Sequence, residues 1–573
     1  MRRYGLAAAA VGAFVVVAVA IRLGVGQPAS SGPPSMTGAP GMPDRAGPPP
    51  AFVDETATSG IDHTYDGGFD FAVGGGVATF DCDADGDQDL YLAGGANPAA
   101  LYRNDSQVGG PLRFTRVASL ATDLEAVNGA YPLRFWPDAG DGGEPGPERG
   151  ADLVVLRLGP NVVLANRGDC TFEDATADLG IDGGDDNTQA FSATWSADHD
   201  WPTLAFGNYL DPGNMDVATR CQTNWLIRPG SNAYGEPIYR EPEPLRPSFC
   251  ALSMLFSDWS GTGRRDLRIS NDRAFYRQDE GGEQLWRVES GQATRLYTAA
   301  DGWATVRVEG MGIGSFDLTG DGLPEIYLTS QAASKLQALA GGPDRPAYVD
   351  IGLSRNVNVA HPFTGDDTDL PSTAWHPEFA DVNNDGLIDL FVSKGNTTEV
   401  PDYAVHDPSN LLLGQPDGTF AEAADRAGIL TFDRARGAAL VDFNRDGHLD
   451  LVESFYGSPA RIWRNQGAVD GRDAAAMRWA AFRLRQPGRN GDAIGAVVEI
   501  RAGEWRQTRE LVVGGGHGGG QLGWLHVGLG AAASAEVRVQ WPDGIVGPWE
   551  PLPLEAFTVI EREVGAGSTT SPR

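Results

Sequence analysis

Asp81, Asp83 and Asp85, followed by Gly86 and closed by Asp89, set four carboxylates and one sharp turn into nine residues. Oxygen donors at positions 1, 3 and 5, a glycine at 6 that lets the carbonyl of position 7 turn inward, and an acid at 9 make a compact cage of hard ligands. Calcium, which takes about six to eight oxygens at roughly 2.3–2.6 Å, suits such a cage, whereas magnesium prefers an octahedral site rich in water. The spacing is not that of an EF-hand, whose closing acid lies at position 12 and whose loop joins helices.

The pattern returns three times. Asp317, Thr319, Asp321, the backbone of Leu323 and Glu325 form one copy; Asp381, Asn383, Asp385, Leu387 and Asp389 another; Asp442, Asn444, Asp446, His448 and Asp450 a third. In the first loop Asp87 holds position 7. A lone copy reads equally well as an Asp/Gly turn whose side chains cap their own backbone. Four copies in one register read as a set of metal loops. The copy led by Asp258 carries Ser260 and Thr262 at positions 3 and 5 and Arg264 and Arg265 beside them, so it is predicted to hold no metal or a weak one. The copy at Asp198 is shortened and that at Asp138 interrupted by Gly140–Gly150; both are expected to be turns only. Bound calcium is expected to be architectural, tying strands together and offsetting clustered charge.

The leading aspartates at 81, 138, 198, 258, 317, 381 and 442 recur about every sixty residues, and a fixed period outranks length as a guide to fold. Each unit enters its loop through a small or apolar strand (Gly76–Phe80, Gly437–Val441) and leaves through a second (Leu390–Ser393). A third ends near Asn or Gly (Asn104, Asn166, Gly414, Asn465), and a fourth element recurs as Phe52–Ile61, Phe172–Ile181 and Phe420–Ile429. Four short strands per unit are the signature of a propeller blade. The predicted fold is all-β, a seven-bladed β-propeller over residues 51–467 followed by a small C-terminal β domain over 478–563. One fourth element precedes the first loop and none follows the last, so Phe52–Ile61 is expected to complete the blade built around Asp442 and close the ring.

Lys+Arg total 44 against 77 Asp+Glu, a net charge of −33 that disfavours nucleic acid and anionic lipid as partners. Arg2 and Arg3 precede an apolar run from Leu6 to Ile21. Residues 1–26 therefore read either as a cleaved signal peptide or as a short membrane anchor, with 27–50 a Pro/Gly/Ser-rich linker. Both readings place the body outside the cytoplasm. Four cysteines in an exported chain imply two disulfides, and Cys221 with Cys250, which bracket one insertion, is the favoured pair.

These residues resemble a known family. The Asp loops are similar to the FG-GAP/VCBS repeats of integrin-α-type propellers. The stretch containing Asn490–Ile500, Gly515-Gly516-His517, Leu525–Gly530 and Val537–Gly544 resembles the ASPIC/UnbV domain. Together they look like the cartilage acidic protein (ASPIC/UnbV) family, although its usual Ser-Gln pair is represented here by Gly520-Gln521. The resemblance implies an extracellular, calcium-binding, ligand-binding or adhesion-type protein with a protein or glycan partner. The UnbV name also comes from proteins encoded in enediyne antibiotic clusters, which supports an alternative: an enzyme or accessory factor acting on an exported small molecule at the channel mouth.

Two insertions offer candidate ligand surfaces. Tyr209–Cys250 carries Arg220, Trp225, Arg228 and Tyr234, a composition suited to recognition, or alternatively a disulfide-pinned cover over a blade edge. The segment from His361 to His376, with three aspartates between them, reads either as a transition-metal or acid/base pair or as a hydrogen-bonded loop. Arg273, after a strand, is a candidate for facing the central channel. No nucleophile elbow, zinc-protease motif, phosphate loop or dinucleotide fingerprint is present.

Overall fold

The computed structural model describes residues 43, 46–136, 149–196, 198–232, 237–277, 281–398, 400–468, 477–562 and 568–572. The apolar run 6–21, Asp138 and Tyr234 lie outside them. No helix among the described residues is long and apolar enough to cross a membrane.

The repeats fold into antiparallel sheets of four strands each, built in chain order; the first also gains a short parallel strand, Gln521–Leu522, from the C-terminal module. Their leading strands are Val77–Phe80, Val127–Leu133, Thr188–Thr194, Ala251–Ser257, Gly310–Phe316, Ala374–Ala380 and Ala435–Val441, nearly all buried. Each lies against the next, and Ala435–Val441 lies against Val77–Phe80, so the array closes on itself as a β-propeller. Small residues recur in these strands because the sheets converge on one axis. In six of the seven the register slips at the start of the strand, away from the Asp loop, as between Val127 and Gly129 or Ala435 and Ala438, and such bulges sharpen the local twist.

Ring closure is made by pairing. Pro50–Asp54 runs antiparallel to Ser458–Ala468, with Phe52 opposite Asn465 and Val53 opposite Arg464, and so supplies the outer strand of the last sheet. The preceding residues are docked as well, contrary to a free tether up to residue 50. The Gly47 N–H donates to Asp385 Oδ2 at 2.6 Å, and Asn383 Nδ2 donates to the Pro48 carbonyl at 3.3 Å. Cys221 bonds Cys250 within the third-sheet insertion, and Cys82 bonds Cys170, tying the first loop to the second sheet.

The C-terminal module is two four-stranded sheets around a core that includes Phe482, Val498, Ile500, Val537, Trp541 and Ile560. Its glycine-rich segment 513–521 enters the propeller channel and travels around its inner wall. The Ala193 N–H donates to Val513 O, and Gly515 N–H donates to Met254 O. Gly516 and Ile313 exchange backbone bonds, the Ala130 N–H donates to Gly518 O, and the Thr79 N–H donates to Gly520 O. Five of the leading strands are thus bridged by one strand-like loop. Glycine is required by contact distance: a Cβ on Gly129 would sit 1.7 Å from Gly518 O, and one on Gly519 2.0 Å from Val77 O.

Gly129→Ala is accordingly expected to lower stability to urea by about 3 kcal/mol, the upper range for overpacking. Gly68→Ala, whose Cβ meets nothing within 4 Å, is expected to leave the midpoint unchanged.

Candidate metal loops beneath the C-terminal module

Five of the described loops share one backbone. The leading aspartate accepts N–H groups from later in its own loop: Ala84 and Gly86 on Asp81, Gly320 and Gly322 on Asp317, Asp385 and Gly386 on Asp381, Asp446 and Gly447 on Asp442. Position 4 is left-handed (Ala84, Asn384 and Arg445 at φ of 66°, 60° and 54°), and so is the glycine at 6 (Gly86, Gly322, Gly386 and Gly447, φ 84–95°). The Asp258 loop has the same fold, with Thr262 and Gly263 N–H groups on Asp258. Self-capping therefore builds the loop whether or not a cation is suited to it.

The closing acid does a second job. Asp89 accepts the Cys82 N–H at 2.6 Å and the Asn104 N–H at 2.8 Å, bracing the loop to the third strand. Asp389 accepts Val382 and Gly414, Asp450 accepts Phe443 and Asn465, and Asp152 in the second sheet accepts Phe135 and Asn166. The third-strand asparagines then reach the preceding sheet: Asn104 Nδ2 donates to Phe443 O, Asn166 to Cys82 O and Asn465 to Val382 O, at 2.8–2.9 Å.

What separates the full loops from a capped turn is crowded, buried carboxylate, with a buried oxygen left unpartnered in three of the four. Oxygens of Asp81, Asp83 and Asp89 all lie within 4.8 Å of one another. Thr319 Oγ1 and Asn444 Oδ1, both at position 3, are buried with no hydrogen-bond partner. Burial, and after it the adjacent carboxylate, pushes Asp87 up to about 6 and Asp442 up to about 8. Asp81 and Asp317 rise to about 6 and Glu325 to about 8, again chiefly from burial, and Asp381, Asp389 and Asp450 are driven well above the carboxylate range. The nearest counter-charges to the first loop, Arg483 on Asp81 and Arg445 on Asp87, stand off at 3.6 and 3.7 Å. These donors fit a hard divalent cation, and the residues that would hold it are those at positions 1, 3, 5 and 9 with the position 7 carbonyls of Asp87, Leu323, Leu387 and His448.

The Asp258 loop solves the same problem with protein charge. Arg264 Nε lies 3.2 Å from both oxygens of the closing Asp266, which also accepts from Trp259 Nε1 and Tyr297 Oη. Arg265 bonds Glu510 and the Gly495 carbonyl of the C-terminal module. At Asp198, the Ser290 hydroxyl occupies the carboxylate.

A family model described as "ASPIC and UnbV" matches residues 486–566. The chain carries an ASPIC/UnbV domain. Cartilage acidic protein 1 of Mus musculus is 25% identical over 302 residues, 50% of this chain and 44% of that protein. The Homo sapiens protein of the same name is 24% identical over 243 residues, 40% and 34% respectively, so the match spans less than half the length of these relatives. A solved structure of BBS1N in complex with ARL6DN aligns at a TM-score of 0.40 and 10% identity, over 73% of this chain and 98% of that one.

The ASPIC/UnbV domain sits on the Asp loops themselves. Trp524 Nε1 donates to Gly86 O at 2.8 Å and Trp505 Nε1 to Gly386 O at 3.0 Å, while His526 Nε2 lies 2.6 Å from Asn384 Oδ1. Sequence reading did not find this contact. Its signal was the tryptophan at 505 and 524 in a module rich in charge.

The candidate ligand residues are mostly committed within the protein. Trp225 Nε1 donates to Asp186 at 3.0 Å, Arg228 to Glu243 and Thr294, and the Arg220 guanidinium lies 5.2 Å over the Tyr276 ring. Arg273 is buried, with its guanidinium on the carbonyls of Val217 and Ala218. His361 and His376 do not form a pair. His361 is exposed with Nδ1 3.0 Å from Leu370 O, whereas buried His376 accepts the His517 N–H at Nδ1 and places Nε2 3.4 Å from Glu378. The two groups able to gather three metal-ligating atoms among the described residues both lie at the first Asp loop, and one of them includes the disulfide-bonded Cys82 and Cys170.

Asn465→Ala would strip donors from two buried carbonyls, Val382 O and Leu449 O, and is expected to cost about 3 kcal/mol in urea unfolding. The raised carboxylates also set a pH dependence. In chelator the folded state holds protons that the unfolded chain releases, so their stabilising contribution is complete below the ordinary carboxylate pKa and is lost as pH rises through about 6 to 8. A bound cation would replace those protons, so the gap in melting temperature between calcium and chelator is expected to widen from pH 5 to pH 8.

Proposed function

We propose that the chain is an exported propeller whose loops at Asp81, Asp317, Asp381 and Asp442 bind calcium, and that it serves as a ligand-binding, adhesion-type module for a protein or glycan. The observation that carries the metal reading is the pair of buried, partnerless oxygens, Thr319 Oγ1 and Asn444 Oδ1, set among carboxylates whose pKa burial raises. Export is supported by the apolar run behind Arg2 and Arg3 and by two disulfides, which persist outside reducing compartments.

Support for a partner at the rim comes from the insertion 211–219. Cys221–Cys250 and Arg273 pin it, and Met215 is left 80% exposed at its tip. A ligand held inside the channel has less support, because segment 513–521 fills the inner wall.

Elemental analysis of the desalted full chain is expected to find calcium at one ion for each of the four complete loops. Chelation is expected to lower the melting temperature by about 10 °C, the order given by a few kcal/mol of binding energy per saturated site. A metal-free preparation that melts identically with and without calcium ends the metal reading. A glycan array probed in calcium, comparing the parent with Met215→Glu, tests the rim; loss of a saturable signal in the variant is the expected result.

A further inference from the structure

A cavity of about 540 Å³ lies between the propeller and the ASPIC/UnbV domain, within the size range of small-molecule sites, which favour such junctions. Its charges are unevenly matched. Each acid on its wall has donors of its own: Glu510 has Arg265, Glu499 has Arg538, and Glu378 has the Leu440 N–H and the Gln521 amide. Asp258 and Asp317 cap their own loops, and Asp321 accepts the Leu323 N–H.

Arg509 is the exception. It is half-buried, donates one hydrogen bond, from Nη1 to His526 O at 2.9 Å, and lies 5.1 Å over the Phe316 ring. It meets no carboxylate within ion-pair distance among the described residues; Glu378 and Asp381 act on it only at longer range. Arg506 on the same wall bonds only the carbonyls of Gly503 and Trp505. A partly desolvated guanidinium with free donors is a planar fork for a carboxylate. Beside it, Phe316, Phe379 and Trp524 offer apolar surface to the same space.

We propose that this cavity binds a small aromatic carboxylate, its anion paired with Arg509 and its ring held against Phe316, Phe379 and Trp524. The site uses none of the loop oxygens as ligands to the molecule, so it is separable from the calcium reading.

The test is titration of the full chain with 2-naphthoate in calcium buffer at pH 7, followed by calorimetry and by tryptophan fluorescence. Saturable one-to-one binding is expected, with the uncharged 2-naphthol at least tenfold weaker. Arg509→Gln is expected to weaken naphthoate at least tenfold. Arg501→Gln, which touches Glu536 away from the cavity, is expected to bind as the parent does. Equal binding of naphthoate and naphthol, no saturable binding, or parent-like affinity in Arg509→Gln overturns the proposal. If Arg509→Gln does not fold, the naphthoate–naphthol comparison on the parent chain decides alone.

Discussion

Four of the seven sheets are braced by a buried carboxylate that accepts two backbone N–H groups, one from its own loop and one from the third strand of its sheet. Asp89, Asp152, Asp389 and Asp450 all do this, and the asparagine or glycine at the end of that third strand is the other half of the joint. Where it is asparagine, its amide crosses to the preceding loop, so that each joint within a sheet is also a joint between sheets. A buried bond of this kind is costly to break, because the N–H left behind has no water to turn to. In those sheets it fixes the Asp loop to the strand behind it, and where the partner is asparagine it fixes each sheet to the one before.

Self-capping by the leading aspartate explains why loops with different side chains share one shape. The second sheet keeps Asp152 and Asn166, although the leading aspartate of its loop lies outside the described residues. The fourth keeps its closing acid, Asp266, but surrounds it with Arg264, Trp259 and Tyr297. An internal guanidinium there stands where the full loops gather carboxylates. Arg265 of the same loop pairs with Glu510, so the loop least suited to a metal ion makes an ion pair with the ASPIC/UnbV domain.

The repeat period, the strand grammar and the closing role of Phe52–Ile61 were legible because each leaves a local trace: a glycine at a fixed place, an alternation, an extra copy at one end. The role of Asn104, Asn166 and Asn465 was visible only as a recurring letter, since its meaning lies in a carbonyl on another sheet. The candidate ligand residues were less legible. Arginine and tryptophan on an insertion have the composition of a recognition surface, yet Trp225, Arg228 and Arg273 use those same donors to hold the insertion down. Composition does not tell an outward donor from an inward one.

Gly515-Gly516-His517 shows most clearly how a sequence signal is resolved by context. Glycines around a histidine resemble a phosphate-binding loop, but their spacing answers to the width of a channel. Gly516 and Gly518 run within hydrogen-bonding distance of backbone on opposite sides of the ring, and His517 places Nε2 2.6 Å from Val73 O, with burial lowering its pKa to about 3. A neutral imidazole in that position can donate one bond and needs no counter-ion, which suits a side chain sealed among carbonyls. Because the same short segment bonds leading strands of five sheets, the ASPIC/UnbV domain is held by the propeller's axis as well as by its loops. Separation of the two would expose every backbone group along that axis at once, and the pair therefore behaves as one structural unit.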